Sequence, residues 1–287
     1  MKRLILSILF LSLLASLALA QSPFELWADI WGNGAYYSTN FESKTFNNPL
    51  LRSDGRFGFY LFPLWGEAYL KPYVVYTTVM SKDPAYWNNN TATGVGMRIH
   101  PFMGLGLSQP LEAIKVFYEI LNEPKASSVG KPGQDVRYGL DYWLEINQPR
   151  FYDADKSVNA GELWFEVWGN LSMRSTNLYE QNFNAYILML ETKTGIYSTD
   201  GKEFAGPEPY IKFDVTKSSK DYYWLNRMLY GLGVRIEPFR FQKGFPPEVL
   251  YKLKVYLEYA AVSYLDQKPG NDIPADIRFG VDFTFGR

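Results

Sequence analysis

The chain has 287 residues, with 29 basic and 30 acidic side chains and no cysteine. The near-neutral balance gives no electrostatic basis for nucleic-acid binding, and the lack of cysteine excludes a disulfide framework and a lipid-modified lipoprotein. Aromatic residues make up 17% of the chain and charged residues 21%. This combination predicts that apolar and charged side chains lie on separate faces.

The first segment has the layout of a secretory signal peptide. Lys2 and Arg3 precede an apolar stretch that runs from Leu4 to Leu17, and Ala18-Leu19-Ala20 provides a small-residue cleavage site. The apolar stretch is short for a membrane-spanning helix. We therefore expect residues 1–20 to be removed on export and residues 21–287 to form a single domain.

Stretches of alternating apolar and polar residues follow, separated by clusters of glycine, asparagine, proline, serine and aspartate. This pattern is typical of consecutive antiparallel strands. The first half contains six predicted strands: Phe24–Tyr37, Arg56–Leu64, Glu67–Met80, Thr93–Phe102, Glu112–Leu121 and Asp135–Asn147. The second half contains six more: Glu162–Met173, Asn182–Thr192, Glu208–Val215, Tyr230–Phe239, Tyr251–Tyr264 and Asp276–Phe285. Pro72 predicts a local bulge in the third strand, because proline donates no ladder hydrogen bond.

Several strand sequences occur twice, about 137 residues apart. ELWADIWGN at 25–33 returns as ELWFEVWGN at 162–170, and GVGMRIHPF at 94–102 returns as GLGVRIEPF at 231–239. KVFYE, VRYGLDY and EAYLK return as KVYLE, IRFGVDF and EPYIK. Repetition in the same order predicts a duplicated six-stranded unit, with one copy in residues 21–150 and the other in residues 151–287.

Alternation also places the ionisable residues of each strand on one face and the apolar residues on the other. In a soluble barrel or sandwich the apolar face points inward, whereas in a transmembrane barrel it meets lipid and the charges line the interior. Strands of about ten residues, an even strand count and a signal peptide favour the second arrangement. The sequence therefore predicts an all-β fold, an antiparallel up-and-down transmembrane β-barrel of about 12 strands.

Three neighbouring strands in each half supply the charged residues predicted to line the lumen. They are Arg98, Lys115, Glu119, Arg137, Asp141, Arg235, Lys254, Glu258, Arg278 and Asp282. Facing rows of charge are able to form an ion-selective constriction. Because both signs are interspersed, a salt-bridge network that fills the lumen accounts for the same residues.

Four tryptophans share a face with acidic residues and are candidates for stacking against sugar rings. They are Trp27, Trp31, Trp164 and Trp168; lumen packing or an interfacial girdle would explain them equally. His100 is the single histidine, its counterpart in the second half is Glu237, and no serine motif accompanies it, so we expect no enzyme activity. Neither a Cys/His cluster nor a calcium-loop spacing occurs, so no metal or other cofactor is expected.

The segments GVGMRIHPF, KVFYE and DVRYGLDYWLE resemble the C-terminal barrel region of bacterial phage-adsorption outer-membrane proteins. More loosely, they resemble the barrels of exopolysaccharide export porins. The resemblance implies an outer-membrane barrel and suggests a role in phage adsorption or solute export.

The sequence as a whole predicts a cell outer-membrane barrel that acts as a narrow channel for small polar or saccharide solutes. Its expected partners are outer-membrane lipid and the outer-membrane assembly machinery. One alternative is a non-conducting surface barrel that serves as a receptor, adhesion or structural protein. Another is a soluble β-barrel that binds an apolar ligand.

Overall fold

The computed structural model describes ten stretches of the chain. They are residues 25–37, 48–81, 89–126, 131–146, 160–176, 183–198, 206–222, 225–239, 253–266 and 275–286. The predicted signal peptide, residues 1–20, lies outside the described residues, as does most of the connection between the two halves of the chain. No helix within the described stretches is long and apolar enough to cross a membrane.

Almost all of the described residues belong to thirteen strands. The first seven are β1 (Leu26–Tyr37), β2 (Asn48–Phe59), β3 (Phe62–Trp65), β4 (Ala68–Ser81), β5 (Asn90–Ile99), β6 (Ile114–Ala126) and β7 (Lys131–Ile146). The other six are β8 (Leu163–Thr176), β9 (Phe183–Ile196), β10 (Glu208–Ser218), β11 (Arg227–Ile236), β12 (Leu253–Tyr264) and β13 (Ala275–Gly286). A four-residue helix, α1 (Gln109–Glu112), lies between β5 and β6.

Twelve of these strands close into an antiparallel barrel, as the sequence predicts. Each strand pairs with the next one along the chain, except that β2 pairs with β4 and leaves β3 as an addition to the end of β4. The barrel closes between β1 and β13, where Asp29 lies opposite Gly286 and Tyr37 opposite Arg278. The start of β1 and the end of β13 therefore lie at the same end of the barrel.

The second strand differs from its prediction. The sequence predicts Arg56–Leu64, but β2 begins at Asn48 and ends at Phe59, and the residues after it form β3. Gly58 lies opposite Tyr73 and Phe62 lies opposite Leu70, so three residues of one strand face only Lys71 and Pro72 of the other. This irregularity lies at the proline where a bulge is predicted, because Pro72 has no N–H to offer the ladder.

The barrel has an apolar outer face. Side chains that alternate with the charged positions are the most exposed large hydrophobic residues of their strands, including Val95 at 58%, Ile211 at 63% and Leu232 at 63%. Soluble monomers rarely expose a continuous apolar surface of this kind. The charged members of the same strands are buried, with Arg98 at 7% and Arg235 at 2%.

Large interior aromatic rings pack against glycines of the adjacent strands. The ring of Trp27 covers Gly58, and the ring of Tyr73 covers Gly96; a Cβ on either glycine would lie within 2.8 Å of the ring. Trp164 and Tyr210 cover Gly195 and Gly233 in the same way. Each pair of contacts is 137 residues apart.

These contacts correct one alignment made from the sequence. EAYLK and EPYIK match best in letters when Lys71 is set against Lys212, but the structure sets Tyr73 against Tyr210. Lys71 lies opposite Arg98 in the ladder, and Glu208 lies opposite Arg235. The residue that corresponds to Lys71 is therefore Glu208, which reverses the charge at this position.

Candidate functional site

The charged interior of the barrel is the candidate functional site. Ion pairs join strands that are not neighbours in the sheet. Because other strands lie between them in the wall, these side chains meet inside the barrel. Arg98 of β5 reaches Asp29 of β1, with two strands between them. Lys254 of β12 reaches Glu166 of β8, with three strands between them.

Asp29 is the centre of one cluster at the end of the barrel where β1 begins. Arg98 donates a hydrogen bond from Nη1 to Asp29 Oδ2 at 2.9 Å, and Lys115 Nζ lies 3.8 Å from the same oxygen. The Arg98 guanidinium also lies 3.7 Å from the centroid of the Trp27 ring. One carboxylate and one aromatic face thus hold Arg98 in place, while the Asp29 side chain keeps 23% exposure.

Glu119 forms a second contact set deeper in the first half. Arg56 Nε donates to Glu119 Oε1 at 2.8 Å, and the Tyr73 hydroxyl donates to the same oxygen at 2.9 Å. Arg56 also pairs with Asp54 at 2.5 Å. Glu119 is 1% exposed, so its charge depends on these partners, because a buried carboxylate without them is strongly unfavourable.

In the second half, Arg235 is surrounded by carboxylates. Its Nε donates to Glu208 at 2.9 Å, its Nη1 donates to Glu166 at 3.0 Å, and its Nη2 lies 3.3 Å from Glu237. The guanidinium lies 3.5 Å from the centroid of the Trp164 ring. Lys254 also reaches Glu166, at 2.7 Å.

Glu258 is the second carboxylate centre of this half. The Tyr210 hydroxyl donates to it at 2.7 Å and Lys212 Nζ at 3.3 Å, while Lys193 lies 3.8 Å away. Lys193 also lies 3.8 Å from Asp282, which accepts a short hydrogen bond from Asn33. Lysines of β9 and β10 therefore neutralise carboxylates of β12 and β13.

The remaining predicted lining residues have local partners. Arg137 pairs with Asp135 at 2.5 Å, and Arg278 with Asp276 at 2.8 Å. Asp141 lies opposite Lys115 in the ladder, and its carboxylate accepts a hydrogen bond from the backbone N–H of Tyr142 at 3.1 Å. The structure thus spreads the ten residues over several contact sets rather than two continuous rows.

Several interior residues with ion pairs are absent from the predicted lumen lining, although Asp29 and Glu166 are among the acidic residues that share a face with the four tryptophans. The largest contributors are Asp29, Arg56, Glu166, Lys193, Lys212 and Glu191. Arg56 is the first residue of the predicted second strand, whereas in the structure it lies well inside β2, opposite Asp29. Lys193 lies just beyond the predicted end of its strand at Thr192, whereas β9 continues to Ile196 and puts Lys193 on the same face as Glu191.

The four tryptophans divide into two kinds. Trp27 and Trp164 are each 1% exposed, and an arginine lies against the ring of each one. Trp31 and Trp168 are each 37% exposed. Trp27 and Trp164 are thus packed within the ion-pair clusters, whereas the rings of Trp31 and Trp168 remain accessible to a ligand.

His100 follows β5 and lies close to the Asp29 cluster. Burial lowers its pKa well below the ordinary value, and the nearby cations Lys71, Lys115 and Arg98 lower it further. The imidazole is therefore uncharged. Its Nε2 is buried without a hydrogen-bond partner among the described residues.

Comparisons with known proteins find neither a matching family model nor a matching curated protein. Among solved structures, the β domain of the Bordetella autotransporter BrkA aligns with a TM-score of 0.37 and 13% identity, over 91% of this chain and 98% of that one. An outer membrane channel from Pseudomonas putida F1 aligns with a TM-score of 0.37 and 8% identity, over 91% and 95%. The outer membrane protein OpdK from Pseudomonas aeruginosa gives 0.31 and 7%, over 91% and 99%. Scores and identities this low carry no information on function.

Proposed function

We propose that this chain is an outer-membrane β-barrel that conducts small polar or saccharide solutes through a narrow, charged lumen. The main observation behind the proposal is the segregation of side chains. Charged side chains form ion pairs in the interior of the barrel, and apolar side chains cover its outer face. Closure also removes the open sheet edges, whose unpaired backbone groups would be unfavourable in the hydrocarbon core of a membrane.

The outer face is the surface that would meet lipid. Val95, Leu232 and Ile211 point away from the charged clusters, and exposing so much apolar area to water would be unfavourable. The described barrel strands are 10 to 16 residues long, which matches the length that a tilted strand needs to cross the hydrocarbon core. A membrane environment accounts for both features at once.

The interior is the surface that would meet solute. Several members of the ion-pair clusters keep partial exposure, with the side chains of Glu191 at 34%, Asp54 at 24% and Asp29 at 23%. Water therefore reaches these carboxylates between the clusters. Trp31 and Trp168 add accessible ring surface, which suits contact with the apolar faces of sugars.

Single-channel recording in a planar bilayer tests the proposal. The full chain without residues 1–20 is refolded in detergent, and barrel closure is checked by the heat-dependent shift in gel mobility. Discrete, reproducible conductance steps would support the channel. Folded protein that inserts into the bilayer but gives no steps would reject it.

One observation favours a different function, a non-conducting surface barrel that presents its loops to a partner. Lys254 Nζ lies 3.6 Å from Glu145 and 2.7 Å from Glu166, so a single lysine bridges widely separated parts of the wall. A lumen closed by such bridges would carry no solute. The resemblance to phage-adsorption proteins belongs to this alternative, and it becomes the preferred function if the folded barrel is electrically silent. Enzyme activity forms no part of either proposal.

A further inference from the structure

The two halves of the barrel carry clusters of opposite charge balance at the same end. Arg98 and Arg235 occupy corresponding positions in GVGMRIHPF and GLGVRIEPF, and each pairs with a carboxylate of the first strand of its half. Lys115 and Lys254 follow in KVFYE and KVYLE. The shared framework is therefore an arginine and a lysine around one carboxylate.

Two positions differ between the clusters, and both change the charge. Lys71 in the first half corresponds to Glu208 in the second, and the uncharged His100 corresponds to Glu237. Together these changes amount to three units of charge. In the second half, Glu208 and Glu237 both contact Arg235, so that cluster supplies its own counter-charges.

The first half has no carboxylate at the positions of Glu208 and Glu237, where it carries Lys71 and His100. Lys71 is 4% exposed and lies beside Arg98 in the ladder, which places two cations side by side. Its ammonium lies 4.4 Å from the ring centroid of Tyr60, and no carboxylate lies within ion-pair distance of it among the described residues. Asp29 is already shared between Arg98 and Lys115. Asp141 lies opposite Lys115 in the ladder and accepts a hydrogen bond from the backbone N–H of Tyr142.

Buried donor atoms without hydrogen bonds lie close to the Lys71 ammonium. Arg98 Nε and His100 Nε2 are buried and have no hydrogen-bond partner among the described residues. In the second half Arg235 Nη2 also lacks a hydrogen bond within the described part of the chain, but the carboxylate of Glu237 lies 3.3 Å from it. Buried polar atoms in native proteins are nearly always satisfied, by protein, by water or by a ligand. A buried lysine without an anion is likewise rare. The first cluster therefore presents cationic donors that lack an acceptor.

We propose that Lys71, Arg98 and Lys115 form a binding site for the carboxylate or phosphate group of a small solute inside the barrel. An oxyanion placed among them would take the position that the carboxylates of Glu208 and Glu237 hold in the second half. Charged donors make the strongest hydrogen bonds to such groups. As a statement about the transported solute, the site rests on the proposed channel, but binding to it is measured separately from conductance.

The second half of the barrel provides a natural model for the test substitution at Lys71. Lys71→Glu copies Glu208, which already pairs with an arginine at the corresponding position, so the barrel is expected to accept it. Lys71→Gln removes the charge without supplying a counter-charge. Lys217→Gln is the matched control, because Lys217 is an exposed lysine paired with Asp266 outside the cluster.

Isothermal titration calorimetry with inorganic phosphate, on the refolded barrel in zwitterionic detergent at low ionic strength, measures the binding. We expect one equivalent of phosphate for the unmodified chain and for Lys217→Gln. Lys71→Glu and Lys71→Gln should each lower the affinity about tenfold or more, because a charge-assisted contact is lost. No binding by the unmodified chain, or equal binding by folded Lys71→Glu, would overturn the proposal.

A double variant tests the same site by gain of function. Glu208→Lys combined with Glu237→His gives the second half the residues of the first, and we expect a second equivalent of phosphate. A folded double variant that still binds one equivalent would contradict the charge argument. Phosphate binding by an electrically silent barrel would reject the channel and keep the site, whereas conduction without phosphate binding would do the reverse.

Discussion

Lys254 Nζ lies 3.6 Å from Glu145 Oε1, although four strands separate β12 from β7 along the shorter way round the barrel. The same ammonium lies 2.7 Å from Glu166. Because the two strands lie almost opposite each other, this bridge crosses the lumen, and it is the contact that most directly limits what passes through. Its removal is therefore the first test of the lumen.

Lys254→Gln should change the current through the barrel. The substitution removes a cation from the bridge and leaves Glu145 and Glu166 facing a wider, more negative passage. We expect a larger single-channel conductance and a shift toward cation selectivity, read from the reversal potential in a salt gradient. Lys217→Gln should match the unmodified chain. An unchanged conductance and reversal potential for Lys254→Gln would show that the current does not pass this bridge.

Arg235→Gln should be strongly destabilising. Arg235 is 2% exposed and contacts three carboxylates, so its loss leaves Glu208, Glu166 and Glu237 without their shared cation. Removing one partner from a buried charge cluster costs about 3–5 kcal/mol. The measurement is the free energy of unfolding in urea, in lipid vesicles.

The control for Arg235→Gln is again an exposed ion pair. Lys217 and Asp266 lie 2.6 Å apart with side chains 45% and 30% exposed, and exposed pairs contribute about 0–1 kcal/mol. Similar losses in Lys217→Gln and Arg235→Gln would mean that the Arg235 cluster is not a significant source of stability.

Gly96→Ala tests the packing of interior rings on glycine. A Cβ at Gly96 would lie 2.6 Å from the Tyr73 ring and 2.8 Å from the carbonyl oxygen of Tyr118. Overpacking of this kind costs about 1–3 kcal/mol. Gly169→Ala is the control, since its Cβ would meet Leu190 at an ordinary 3.5 Å. If both variants unfold at the same urea concentration, the close ring packing at Gly96 is not a constraint.

Much of this architecture could be predicted from the sequence, because it depends on period-2 alternation. Alternation puts Arg98, Arg235 and Glu258 on the polar face of their strands, and the structure buries all three. The first part of β2 was missed because Asn48, Pro49, Ser53, Asp54 and Gly55 are typical of loops. Within a ladder, pairing to both neighbours overrides that local preference.

The partners of the charged residues could not be predicted in the same way. Arg56 and Glu119 are 63 positions apart and meet because the curved wall brings β2 and β6 together inside the barrel, with β4 and β5 between them. No local pattern encodes that distance. The sequence does not show that Lys71 corresponds to Glu208 either. Aligning EAYLK with EPYIK by identity pairs Lys71 with Lys212, whereas the strand register pairs it with Glu208.

Leu232→Arg tests whether the outer face lies in lipid. Leu232 is 63% exposed on the side of β11 away from the charges, and an arginine on the lipid face near the bilayer midplane costs about 2–4 kcal/mol. Leu107→Arg is the control, because Leu107 is 42% exposed between β5 and α1, beyond the strands. A surface substitution there should change stability by about 0.5 kcal/mol or less. Unfolding in urea from vesicles gives both values. If Leu232→Arg proves as mild as Leu107→Arg, the outer face does not contact hydrocarbon, and the membrane assignment fails together with the channel.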